Sequence, residues 1–115
     1  MIEIKNSDLK AVLLTLAGFT KEGKMVQGLL TEQMSLGLKR KLQKIHTAAG
    51  KAYDELSKDL KEVAALEDKE KQTSEFKTLM DEVLKLEVDK ASMEMIEAIV
   101  TTHFYDTEIL EKIAE

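Results

Sequence analysis

The stretch Leu36–Leu66, LGLKRKLQKIHTAAGKAYDELSKDLKEVAAL, decides the fold. Leu38, Leu42, Ile45, Ala49, Ala52 and Leu56 recur at alternating steps of four and three, and Leu60 and Val63 continue the series. Steps of that size return to the same side of a 3.6-residue helix, so these side chains form one apolar stripe. The remaining faces carry Lys39, Arg40, Lys41, Lys44, Asp54, Glu55, Asp59 and Glu62 among other charges, which water or a partner must accept.

The helix must stop somewhere upstream. Met25, Val26, Leu29, Leu30 and Met34 suggest a second helical segment from about 24 to 33, weakened at Gly28 by roughly 1 kcal/mol relative to alanine. One unbroken helix from 24 to 66 would reach roughly 60 Å, against a radius of gyration of about 13 Å for a compact chain of this size. A break at Ser35-Leu36-Gly37 is therefore expected, leaving a helix over 36–66 that spans roughly 45 Å. That length makes self-association through the helix a further expectation.

Earlier in the chain, Ile2 and Ile4 alternate with Glu3 and Lys5, the period-two pattern of a short half-buried strand. Its partner is sought in 84–88, where Leu84, Leu86 and Val88 alternate with Lys85 and Glu87. Because a two-stranded ribbon is marginal alone, one face of this pair should rest on the helices. Asn6-Ser7-Asp8 reads as an N-cap run before Leu9, Val12, Leu13 and Leu16, with Gly18 as C-cap and 19–23 as a connector. Downstream, 67–72 has no apolar member and reads as an exposed connection. A helix is expected from Thr73-Ser74 through Phe76, Leu79, Met80 and Val83. Another, capped by Asp89 or Ser92, presents Met93, Ile96, Ile99 and Val100, and Asp106 or Thr107 caps a last one with Ile109, Leu110 and Ile113. The expected architecture is α+β and predominantly α: a long amphipathic helix packed with shorter helices and a small two-stranded sheet, about 2–5 with 84–88. All of it falls in a single mainly helical domain over 1–115.

Composition agrees. At 43% hydrophobic and 34% charged, the 115 residues can fill a core without disulfide or metal staples, and the absence of proline removes the commonest helix breaker. With no cysteine there is no disulfide framework, thiolate metal site or cysteine nucleophile. The opening residues lack the basic lead and apolar run of a signal peptide, and no run of about 18 apolar residues suggests a membrane span. Charge is uneven: residues 1–66 hold eleven basic against eight acidic side chains, residues 67–115 six against fourteen. Such a division can draw the two parts together, draw in a second copy, or offer two surfaces to different partners.

Chemistry is sparse. Neither His46 nor His103 belongs to a pair spaced to hold a metal, and His103 with Asp106 is read as a surface histidine and an N-cap. No phosphate-binding glycine motif or nucleophile elbow occurs, so no catalytic residue, metal site or cofactor is expected, and the chain reads as a non-enzyme. The run Lys39-Arg40-Lys41, with Lys44 one turn on, has the charge to meet phosphates. No aromatic residue interleaves with it and the whole chain is acidic. A solvated or protein-contacting face is preferred over nucleic acid. Met93-Glu94-Met95 puts two methionines on different sides of a helix, adaptable side chains of which one is expected at an interface. The candidate interaction surface thus comprises Lys39, Arg40, Lys41 and Lys44 with Glu94, Met95, Glu97, Glu108 and Glu111.

The opening Ile2-Glu3-Ile4-Lys5-Asn6-Ser7-Asp8-Leu9-Lys10-Ala11-Val12, the basic Lys39-Arg40-Lys41-Leu42-Gln43-Lys44, Tyr53-Asp54-Glu55-Leu56-Ser57-Lys58, and Phe76-Lys77-Thr78-Leu79 followed by Glu82-Val83 stand in an order that resembles a family of small uncharacterised bacteriophage and prophage proteins. The resemblance covers most of the chain and carries no activity with it. It implies a protein of the bacterial host cytoplasm, or one associated with the virion, that works by protein contact in virion or tail assembly. Two alternatives follow from charge: an anti-CRISPR-like inhibitor that binds a host antiviral-defence protein through its acidic surface, and a nucleic-acid-binding regulator using the basic helix. The partner expected is accordingly a phage structural or host defence protein.

Overall fold

In a computed structural model, which describes residues 2–99 and 107–115, with Phe19, Lys21, Met25, Val26 and Gln27 described by their backbone alone, the elements run in order β1 (Ile2–Lys5), α1 (Leu9–Ala17), β2 (Gly18–Lys21), β3 (Lys24–Gln27), α2 (Leu36–Ala64), α3 (Lys69–Asp81), β4 (Val83–Leu86), α4 (Met93–Ile99) and α5 (Thr107–Ile113). The fold is α+β with helix predominant. Ser35 fixes the start of α2: its Oγ accepts from the Leu38 backbone N–H at 3.3 Å, satisfying one of the unpaired donors of the first turn.

Along α2, Leu38, Leu42, Ile45, Ala49 and Leu56 are buried, as the four-three spacing predicts. They face Leu9, Val12 and Leu16 of α1, the strand residues Ile2, Ile4 and Leu86, and Ile96, Ile109 and Ile113 from the last two helices, which together form one contiguous core. Full burial of a leucine or isoleucine contributes about 1.5–3 kcal/mol, so this cluster is the main source of stability. Strands β1 and β4 pair antiparallel, with Ile2 opposite Leu86 and Ile4 opposite Leu84. Glu3 and Lys5 point outward while Ile2 and Ile4 point in, so the ribbon lies on the helices by one face. The strand ends at Leu86, two residues before the expected limit, and Val88 turns back to donate to the Leu86 carbonyl at 2.8 Å.

Residues 24–33 do not form the expected second helix. Residues 18–27 form a β-hairpin, with Phe19 opposite Val26 and a short 3₁₀ turn following at Leu29–Thr31. The cause is the pair Glu22-Gly23, at φ 53° and 78°, the two left-handed central residues of a tight turn whose twist suits paired strands. Gly18 caps α1 as expected, at φ 84°. Gly28 is extended, not helical, and passes across the end of α1: a Cβ there would stand 2.3 Å from the Gly18 nitrogen and 2.5 Å from the Leu16 carbonyl oxygen. Only glycine permits that crossing.

The N-cap run is also reassigned. Asn6, Ser7 and Asp8 form a 3₁₀ turn, and no side chain caps α1. Asn6 is buried and its Nδ2 donates to the Leu79 carbonyl at 2.8 Å, while its backbone N–H donates to the Glu82 carbonyl at 3.0 Å. It therefore closes the end of α3 rather than opening α1. Asp8 instead pairs with Lys112 of α5. Helix α3 begins at Lys69, inside the stretch read as a connection, because Asp68 caps it: Oδ1 accepts from the Glu70 and Lys71 backbone N–H groups at 3.0 and 3.3 Å. It ends at Asp81, so Val83 belongs to the strand. Of the two caps offered for α4, Ser92 is used, its Oγ accepting from Met95 at 3.3 Å. The Asp106 cap and the His103–Asp106 pair lie outside the described residues. Residues 113–115 run beside Ala91, with Ala91 donating to Ile113 and Glu115 donating to Ala91, each at 3.0 Å.

Candidate protein-contact surface

Burial along α2 changes with position. Through Ala49 the stripe is sealed in the core, whereas Leu60 and Val63 are only half-buried and α3, their cover, has no buried residue. The two helices form an arm. Its effect on shape is measurable: the radius of gyration is 15.8 Å and the longest extent 50 Å, against the roughly 13 Å radius expected of a compact chain this long. The arm is fastened at its tip, where Gln72 Nε2 donates to the Ala64 carbonyl at 3.0 Å, and at its root by Asn6.

Two grooves run between the arm's helices, one on each side. Leu60, Val63 and Ala64 of α2 face Gln72, Thr73 and Phe76 of α3 across an open apolar trench of about 380 Å³. Phe76 leaves 48% of its surface in water there, and the Thr73 hydroxyl is already engaged with the Lys69 carbonyl at 3.0 Å. On the opposite side Asp59, Glu62, Glu75 and Glu82 rim a groove of about 370 Å³ floored by Val63, Leu66 and Leu79, with Lys71 the one cation among the described residues that line it. One side of the arm is therefore greasy and the other acidic.

Lys39, Arg40, Lys41 and Lys44 are all exposed on the first turns of α2, at the end of the helix away from the arm's tip. Lys44 lines a groove with Glu87, Val88 and Asp89, so the carboxylates beside it come from the exit of β4 and not from the acidic helices. Glu94, Met95 and Glu97 are exposed on α4, Met95 to 43%, and Glu108 and Glu111 are exposed on α5. Glu108 and Glu111 ride on α5, which packs against α1 and β1, and the groove that Lys44 lines is completed by residues of the β4 exit and not by α4 or α5. His46 is half-buried on α2, and among the described residues no group of three or more His, Cys, Asp or Glu side chains is placed to hold a metal ion. Nor is any helix among the described residues long and apolar enough to cross a membrane.

Neither groove was among the residues singled out from sequence. Phe76 offered the signal: a large aromatic side chain in a helix otherwise rich in charge, at a position where the apolar spacing has little to pack against. Set against known proteins, the chain matches no family model, no curated protein and no solved structure.

Proposed function

We propose that the chain is a non-enzymatic phage or prophage protein that works by binding another protein, in virion or tail assembly inside the bacterial host cytoplasm. The phage setting rests on the resemblance of the segments beginning at Ile2, Lys39, Tyr53 and Phe76. The mode of action rests on one observation, the apolar trench of Leu60, Val63, Ala64 and the half-exposed Phe76 on a projecting arm. Apolar surface left in water forgoes roughly 25 cal/mol per Å² of burial, which a partner helix or loop can recover.

Affinity capture from infected or prophage-induced cells tests this, using the wild-type chain beside Phe76→Ser. Virion proteins are expected with the wild type and lost with the variant, while both chains keep the same circular dichroism and unfolding midpoint. Retention of a host-defence enzyme that survives Phe76→Ser and is lost on Glu75→Lys would replace this reading with inhibition through the acidic groove. Equal retention of virion proteins by both chains would remove the trench from the mechanism.

A further inference from the structure

The side of α2 that leads into the acidic groove carries an ordered series of charges. Lys41, Lys44, Ala48, Glu55, Asp59 and Glu62 are separated by three, four, seven, four and three residues, which keeps them along one seam beside the buried stripe. All are exposed except the half-buried Ala48. The two outer pairs form a palindrome with its sign reversed, and the inner pair sets neutral Ala48 against Glu55. Lys41 and Glu62, Lys44 and Asp59, and Ala48 and Glu55 are each equidistant from a point between Lys51 and Ala52.

A helix with that arrangement is complementary to itself when turned end for end. We propose that the seam is the interface with a second copy of this chain: two α2 helices pack antiparallel about a two-fold axis between Lys51 and Ala52. Lys41 and Lys44 of each copy then enter the acid-rimmed groove of the other. The contact is isologous, so every pairing occurs twice and the assembly closes as a dimer. It runs from residue 41 to residue 62, roughly 30 Å of helix at about 1.5 Å per residue.

Several details fit. The receiving end is a groove with an apolar floor, Val63, Leu66 and Leu79, and Glu75 and Glu82 of α3 add two carboxylates to those of Asp59 and Glu62. That matters because isolated exposed ion pairs contribute little, whereas pairs set over a covered apolar floor are screened less. Ala48, half-buried about one turn from the axis, adds little bulk to the seam. Lys44 shares a groove with Glu87 and Asp89 of its own chain, so Lys41 contributes the larger share of the attraction. The interface lies on the opposite side of the arm from the Phe76 trench and needs neither that trench nor a phage setting.

Mass measured by light scattering or sedimentation, on the full chain, tests the proposal. At low salt the expected mass is twice the 13.0 kDa of the chain, falling toward the monomer at about 0.5 M salt, where screening reaches only a few ångströms. The double variants Lys41→Glu/Lys44→Glu and Asp59→Lys/Glu62→Lys are each expected to be monomeric, since like charges now meet at both ends. Mixed together they should recover a dimer containing one of each, because the pairings of 41 with 62 and of 44 with 59 are again between opposite charges. Lys41→Glu alone weakens the dimer more than Lys44→Glu. A wild-type chain that stays monomeric at low salt and high concentration overturns the proposal. So does a double variant that remains dimeric, or a mixture of two folded variants that does not associate.

Discussion

The two halves of α2 share one stripe and one helical geometry, yet they sit in opposite situations. Between Leu38 and Ala49 four stripe residues are wholly or almost wholly withdrawn from water, beneath α1, β1 and the C-terminal helices. Between Ala52 and Val63 only Leu56 is buried, and the covering helix α3 contributes nothing buried in return. An apolar period therefore specifies which face of a helix turns inward but not how deep the inside is at each turn. The first half anchors the molecule, and the second carries surface outward on that anchor.

The contrast can be broken most severely at Ile45, which is completely buried. Ile45→Ala should cost about 2–5 kcal/mol in urea unfolding, through lost transfer energy and the cavity left behind. A loss as small as that of an exposed substitution would mean that the first half is not the anchor. The joint between the halves comes next. Asn6→Ala removes the 2.8 Å donor to the part-buried Leu79 carbonyl, which keeps only the longer bond from the Glu82 N–H at 3.3 Å, and should cost about 1–1.5 kcal/mol, with hydrogen exchange accelerating at the end of α3 before it does in α1. Asp68→Ala removes the cap of α3 and should cost about 1 kcal/mol, read as faster exchange confined to the arm. Smallest is Phe76→Ser, expected to shift stability by no more than about 0.5 kcal/mol because the ring sits at the surface. If Phe76→Ser destabilised the chain as much as Ile45→Ala does, the arm would be part of the core and the trench no docking surface.

Much of this was legible in the residues and some was not. The stripe from Leu38 to Val63 and the pairing of Ile2 and Ile4 with Leu84 and Leu86 follow from periodicity, which records sidedness directly, and the break at Ser35 follows from the length an unbroken helix would reach. The hairpin at 18–27 was hidden because Met25, Val26, Leu29 and Leu30 also satisfy a helical spacing. The decisive signal is the two-residue Glu22-Gly23 turn, and Gly28, a weak point for any helix, marks a backbone crossing. Residues 67–72 have no apolar member to set a period, so only the Asp68 cap disclosed that α3 begins there. The exposed candidates Lys39, Arg40, Lys41, Lys44, Met95, Glu94, Glu97, Glu108 and Glu111 were recognisable as surface, but a local pattern cannot say which of them share a side. Both grooves depend on where α3 lies across α2, a relation between elements that no single stretch encodes.

Asn6 and Leu79 stand 73 positions apart, and their hydrogen bond has a consequence for the order of events as the chain folds. The α2–α3 turn is local and can close early, with its own cap and the Gln72 fastening already within reach. Its heading relative to the rest of the molecule waits until the first strand has docked, since long loops close later than short ones. The contacts of the turn can thus form before the arm points anywhere, and aim is among the last properties the molecule acquires.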